Sequence, residues 1–137
     1  MDFLTTMFTN SSVVRTSDQL AASWGYYDTV KSKWNTEIMK SQDFPIELLP
    51  EVLASSQDAG QLAHPWFDIP CGTPIGVALG DLQCSVRSTL VDPITDAVLN
   101  VSTSAQMAFV KKSGFVPKNE QVKKSFFMGD IKTPLAF

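Results

Sequence analysis

The sequence predicts an α/β protein. Two apolar runs, IGVAL at residues 75–79 and AVLNVS at 97–102, flank the pair Gly80-Asp81 and a segment with helical spacing. An order of strand, Gly-Asp, helix and strand is typical of α/β architecture. The 137 residues are 44% hydrophobic and 18% charged, which fits a single soluble globular domain.

The first half of the chain predicts short elements. Apolar side chains at helical spacing indicate a helix over residues 1–9, and Val13-Val14 favours a brief strand. The remaining predicted elements of this half are a helical turn ending at Ser23 after the N-cap candidates of residues 16–18, a helix over 36–41 capped by Asn35, and a helical turn over 46–49 bounded by Pro45 and Pro50.

The second half is more regular. We expect strands at 60–63, 75–79, 97–102 and 106–110, of which the 75–79 run is of the fully buried type. A helix is expected from about Leu82 to Leu90, since Val86 and Leu90 share one helical face. Beyond Gly114 the periodicity weakens.

Charge is distributed unevenly along the chain. Residues 1–110 carry 5 basic and 12 acidic side chains, whereas residues 111–137 carry 6 basic and 2 acidic ones. An acidic main part argues against binding to a phosphate backbone, so we expect no nucleic-acid partner. The short basic tail is typical of a solvated segment.

Targeting signals and cysteine use point to one compartment. No stretch approaches the roughly 18 apolar residues of a membrane span, and the start of the sequence lacks the features of a secretory signal. Cys71 and Cys84, thirteen residues apart, fit buried reduced thiols better than a disulfide framework. We therefore expect a cytoplasmic protein with no membrane partner.

Asp81 is the sharpest candidate for chemistry. A carboxylate after a buried strand lies where open α/β sheets bind ligands, and the N-terminus of a helix favours negative charge there. Such a carboxylate can accept a proton from a substrate hydroxyl. Simple helix capping is the alternative reading, because aspartate is a preferred N-cap residue.

Two other groups of residues invite a functional reading. Ser102-Thr103-Ser104 follows the next strand and can present N–H and hydroxyl groups to phosphate oxygens, or it is merely a strand break. A second group is aromatic and could wall a sugar site, although core packing is the default for such a cluster: Trp24, Tyr26, Tyr27 and Trp34. The single histidine, His64, supports neither a multi-histidine metal site nor a catalytic triad.

Three motifs in order resemble the FGGY-type carbohydrate kinases. They are SDQLAASWGY at 17–26, VALGDLQ at 77–83 and DAVLNVSTSAQ at 96–106, and the resemblance covers about residues 2–115. Within the family the chain is most similar to the branch that phosphorylates a seven-carbon ketose. The resemblance implies part of a ribonuclease H/actin-like ATPase fold.

The resemblance also implies roles for individual residues. Asp81 would be the catalytic base and would contact the sugar together with Gln83 and Ser23. ATP phosphates would be bound by the segment Ser102, Thr103 and Ser104, with Mg²⁺ balancing the charge during transfer. No residue of this chain is expected to be a metal ligand.

The family pattern is incomplete in this chain. Nothing here matches the family's phosphate loop or its second domain, so we expect a fragment that is inactive alone. Residues 1–115 would be the C-terminal part of the first kinase domain, and residues 116–137 a divergent basic tail. Three alternatives remain: a non-catalytic sugar-binding or regulatory fragment, a kinase for another sugar, and a piece that does not fold stably.

Overall fold

The computed structural model describes residues 1–92, 94–101 and 105–111, together with the backbone of two short strands at 124–125 and 135–136. The chain divides into two compact units, Met1–Leu79 and Gly80–Phe137. The domain boundary predicted between residues 115 and 116 lies outside the described residues, so that division stays a prediction.

The first unit is a mixture of short helices and paired strands. β1 pairs in parallel with β4, whereas β2 with β3 and β5 with β6 form antiparallel pairs. The elements of this unit are α1 (Asp2–Thr9), β1 (Arg15–Ser17), α2 (Asp18–Ser23), β2 (Tyr27–Asp28), β3 (Lys33–Trp34), α3 (Thr36–Ser41), a 3-10 turn (Ile46–Leu48), β4 (Glu51–Leu53), β5 (Asp58–Gln61) and β6 (Pro74–Gly76).

Helix α1 packs closely against β5 because β5 carries a glycine at the contact. A Cβ atom on Gly60 would lie 2.9 Å from Thr9 Cγ2, which is closer than Cβ atoms lie to other heavy atoms in proteins. The carbonyl of Phe8 accepts a hydrogen bond of 2.8 Å from the amide of Ala63, just beyond β5. The missing side chain at Gly60 therefore lets the helix lie directly on the strand.

Buried polar side chains hold β1 and α2 in place. The hydroxyl of Ser17, which is fully buried, accepts from the amide of Leu20 at 3.1 Å and donates to the carbonyl of Ala78 at 2.7 Å. Asp18 Oδ1 accepts hydrogen bonds from both the amide and the hydroxyl of Ser55. The start of α2 is thus fixed to two distant segments of the first unit.

The second unit combines one helix with a hairpin-like strand pair. α4 (Asp81–Thr89) packs on β7 (Ala97–Val101), which pairs antiparallel with β8 (Ala105–Val110). Val86 of α4 and Ala108 of β8 are fully buried at the centre of this contact. The sheet continues to β10 (Leu135–Ala136) and β9 (Lys124–Ser125), both antiparallel to their neighbours.

The helices agree with the sequence prediction, as do β5, β7 and β8, whereas two predicted strands were wrong and several short strands were not predicted. Val13 and Val14 are exposed, and the strand consists of the next three, more polar residues. The apolar run 75–79 leaves the ladder at Gly76, after which the amide of Val77 donates to Gln57 and the carbonyl of Ala78 accepts from Ser17. At residues 77 and 78, hydrogen bonds to a loop carbonyl and to a side chain replace the strand pairing that the sequence predicts.

Candidate active site

Asp81 occupies the first position of helix α4. Gly80 precedes it in an extended conformation, with φ −72° and ψ 138°, and serves as the N-cap without a side chain of its own. Asp81 Oδ1 instead accepts a hydrogen bond of 2.7 Å from the amide of Leu82, and the residue is exposed. The carboxylate is thus held at the positive end of the helix dipole and remains accessible to a ligand.

The segment leading to Asp81 differs from the sequence prediction. Asp81 does not follow a strand directly, because β6 ends at Gly76 and residues 77–80 are irregular. Val77 and Ala78 are nonetheless buried, and the carbonyl of Ala78 is held by Ser17. Burial and a side-chain hydrogen bond therefore fix residues 77 and 78, in place of a sheet ladder.

Gln83 and Ser23, the other predicted sugar contacts, lie on two different helices. Gln83 is half-buried in the first turn of α4, two residues after Asp81, a spacing at which helical side chains do not face each other. Ser23 is exposed at the end of α2, where its hydroxyl donates to the carbonyl of Leu20 at 2.6 Å. Their predicted contact with a sugar stays a prediction.

The predicted phosphate-binding residues fall between two described strands. β7 ends at Val101 and β8 begins at Ala105, and these two residues face each other in the antiparallel register. Ser102, Thr103 and Ser104 lie outside the described residues. Their predicted role toward ATP phosphates is therefore not tested by the structure.

The aromatic residues predicted to wall a sugar site do cluster in the first unit. The rings of Trp24 and Tyr27 each lie 5.3 Å from the ring of Trp34, centroid to centroid. Trp34 Nε1 donates to the carbonyl of Pro50 at 3.1 Å, which fixes the central ring. Burial raises the pKa of the Tyr27 phenol, and a hydrogen bond with Ser32 lowers it in part.

A pocket of about 290 Å³ opens beside this cluster, and three of its lining residues were missed from the sequence. Trp24 and Tyr26 line it together with Met39, Gln42 and Phe44. The last three lie in α3 and in the segment after it, eighteen residues or less from Tyr26. Nothing in their spacing distinguishes them from ordinary core residues, so a structure was needed to find the pocket.

The two cysteines and the histidine were the other residues considered for metal binding or thiol chemistry. Cys71 and Cys84 are free and exposed, so the prediction of buried thiols was wrong. His64 is exposed. Among the described residues, no three histidine, cysteine, aspartate or glutamate side chains converge on a possible metal position.

In the part of the chain that the structure describes, every helix falls short of the length and hydrophobicity of a membrane span.

Comparison with known proteins identifies the fold of the chain. No protein-family model matches it. A crystal structure of Plasmodium falciparum glycerol kinase with ADP superposes with a TM-score of 0.74 and 16% identity, over 98% of this chain and 27% of that one. At this identity the likeness shows the fold alone, and it confirms the predicted actin-like ATPase architecture.

Two sedoheptulokinases are similar to this chain in sequence. Human sedoheptulokinase is 54% identical over 101 residues, which is 74% of this chain and 21% of the human protein. Mouse sedoheptulokinase is 50% identical over the same extent. The predicted resemblance to carbohydrate kinases is thereby confirmed, with sedoheptulokinases among the relatives. The chain spans about a fifth of the length of these relatives.

Proposed function

We propose that this chain is part of an ATP-dependent kinase that phosphorylates sedoheptulose to sedoheptulose 7-phosphate. The observation that carries the proposal is the 54% identity to human sedoheptulokinase over 101 residues. The exposed carboxylate of Asp81 at the start of α4 supports it, because a base for a sugar hydroxyl must be accessible.

The proposed step is transfer of one phosphoryl group. Asp81 takes the proton of the attacking sugar hydroxyl, whose oxygen forms a bond to the γ-phosphorus of ATP while the bond to ADP breaks. Gln83 and Ser23 are proposed to contact the sugar, and residues 102–104 the phosphates. The described residues contain no group of three possible metal ligands, and in this proposal Mg²⁺ would be bound by the full-length protein.

The isolated chain is proposed to lack kinase activity. Phosphoryl transfer depends on several elements that position and stabilise both substrates, and one base with one phosphate-contacting segment does not supply them. We further propose that residues 1–115 belong to the first domain of the kinase, that residues 116–137 form a separate tail, and that the full-length protein works in the cytoplasm.

A chimera tests the proposal most directly. Residues 1–115 replace the matching segment of human sedoheptulokinase, and ADP release is measured with sedoheptulose and with glycerol as acceptors. We expect an active chimera that prefers sedoheptulose, in which Asp81→Asn lowers kcat by about 10²–10⁴-fold. Asp92→Asn, an exposed aspartate just after α4, is the matched control. An unchanged kcat in the chimera that carries Asp81→Asn would contradict the assignment of Asp81.

The isolated chain provides the complementary measurement. We expect no ADP release that depends on both ATP and sedoheptulose. A turnover that disappears with Asp81→Asn would show that the chain is active alone.

A further inference from the structure

The pocket lined by Trp24, Tyr26, Met39, Gln42 and Phe44, here called the aromatic pocket, has the form of a binding site. Its floor is Met39, which is only 4% exposed, whereas the three rings around it are 40–49% exposed. The three rings thus form half-open apolar walls around a buried residue. The volume of about 290 Å³ is just below the usual range of small-molecule pockets, which starts at about 300 Å³.

The walls of the aromatic pocket are fixed before any ligand arrives. Trp24 packs against Trp34, whose indole N–H is bonded to Pro50. The amide of Phe44 donates to the carbonyl of Met39 at 3.0 Å, which ties one wall to the floor. A ligand entering here loses little free energy to ordering the site, which favours binding of small molecules.

The turn between Trp24 and Tyr26 also has a defined backbone conformation. Gly25 has φ +83°, a left-handed conformation that side chains rarely adopt, and a Cβ there would meet nothing within 4 Å. The glycine is therefore present for backbone geometry rather than for space. The turn at Gly25 places its two neighbours, Trp24 and Tyr26, in the lining of the same pocket.

The chemistry of the lining indicates the class of ligand. It contains no charged side chain, and its polar groups are an indole N–H, a phenol and the Gln42 amide. Aromatic faces with a few neutral hydrogen-bonding groups suit a molecule that has both C–H faces and hydroxyl groups. Phosphates and carboxylates, in contrast, are recognised by arginine, lysine or helix N-termini.

We propose that the aromatic pocket is a binding site for an uncharged monosaccharide. The sugar ring or chain stacks on Trp24 and Tyr26, and its hydroxyl groups bond to Gln42 and the phenol. The site consists of first-unit residues and includes none of the proposed kinase residues Asp81, Gln83 and Ser23. The proposal is therefore independent of the proposed kinase reaction.

Sugar titration of the intact 137-residue chain tests the proposal. Sedoheptulose and glucose are added while the indole N–H resonances of the three tryptophans are followed by NMR, and affinities are measured by calorimetry. We expect the Trp24 resonance to shift and the Trp66 resonance, outside the pocket, to stay unchanged. Sedoheptulose 7-phosphate is expected to bind no more tightly than the free sugar, because the lining carries no cation.

Variants separate the aromatic pocket from the proposed kinase site. Trp24→Ala should weaken sugar binding by about tenfold or more, since stacking and apolar contact are lost together. Gln42→Leu keeps the shape of an exposed side chain and should weaken binding without unfolding the unit. Phe67→Ala, which replaces an exposed ring outside the pocket, should leave binding unchanged.

Three outcomes would overturn the proposal. Sugar binding that is lost with Asp81→Asn but kept with Trp24→Ala and Gln42→Leu would place the sugar at the kinase site and leave the aromatic pocket without a role. Binding of free indole at Trp24 in the absence of sugar binding would mark a purely apolar pocket. No response of Trp24 to either sugar up to its solubility limit would also reject the site.

Discussion

Ser17 satisfies two backbone groups with one fully buried hydroxyl. It caps α2 by accepting from Leu20 and fixes Ala78 by donating to its carbonyl. We expect Ser17→Ala to lower the free energy of unfolding by about 2 kcal/mol, because both partners lose a hydrogen bond and one of them is buried. Chemical denaturation measures the change. Ser23→Ala, at an exposed site, should stay within about 0.5 kcal/mol, and an equal effect of both variants would contradict the role of Ser17.

Gly60 owes its identity to the closeness of α1. An alanine there would bring its Cβ 2.9 Å from Thr9 Cγ2, in a backbone conformation that side chains rarely adopt. We expect Gly60→Ala to destabilise by about 2 kcal/mol or more, measured by thermal unfolding. Gly76→Ala is the control, since that Cβ would meet nothing within 4 Å and an alanine in a strand is neutral or favourable. Similar melting temperatures for the two variants would argue against close packing of α1.

The turn between β2 and β3 is closed by a carboxylate, and this gives it a pH dependence. Hydrogen bonds from the amides of Lys31 and then Val30 lower the pKa of Asp28 below its ordinary value of 3.8. A depressed pKa in the folded state contributes stability above the unfolded pKa and loses it as pH falls through the folded value. We therefore expect the stability difference between wild type and Asp28→Ala to shrink below about pH 4. An NMR titration that places the Asp28 midpoint at or above 3.8 would contradict this.

Helix α4 is held in the second unit by one buried side chain. Val86 meets Ala108 at the centre of the contact, with Leu82, Val98 and Val110 around them. Removal of two methyl groups at a fully buried site should cost about 2 kcal/mol, so we expect Val86→Ala to unfold at lower denaturant concentration. Val101→Ala, with the original side chain 71% exposed, should change stability by less than about 0.5 kcal/mol. Loss of equal stability in both variants would show that α4 is held elsewhere.

Elements with a clear local signal could be predicted from the sequence. The apolar spacing of α1 and the long apolar runs of β7 and β8 specify these elements, and each was found close to its predicted bounds. β1 could not be predicted, because its polar residues form a buried strand only through parallel pairing with β4, thirty-six residues away. Propensity favoured the neighbouring valines, which tertiary contacts leave exposed.

The candidate site, too, could be predicted from the sequence only in part. Asp81 was found from the sequence because Gly-Asp before a helical run is a local pattern, and the structure places it at the start of α4. The aromatic pocket was only half foreseen. Trp24 and Tyr26 stand out in the sequence, but Met39, Gln42 and Phe44 join them only once α3 and the segment after it have folded. Pocket walls from separate elements leave no joint periodicity in a sequence.

At the scale of the whole molecule, large apolar side chains are exposed at many positions of the first unit. Phe3 and Met7 of α1 are 72% and 62% exposed, and Phe67 is 89% exposed. Soluble monomers rarely leave large side chains open in such number, and such surfaces bind other proteins or promote aggregation.

This surface predicts how the isolated chain behaves in solution. We expect the native chain to bind the dye ANS with a rise in fluorescence and to associate as its concentration increases in sedimentation velocity. Phe3→Glu combined with Met7→Lys should reduce both effects, because charge on the open face of α1 opposes apolar contact. Val30→Glu changes an isolated valine, 89% exposed in the loop between β2 and β3, and should reduce neither. If the double variant bound ANS and associated like the wild type, the apolar face of α1 would not be the cause, and association would have to arise from other parts of the chain.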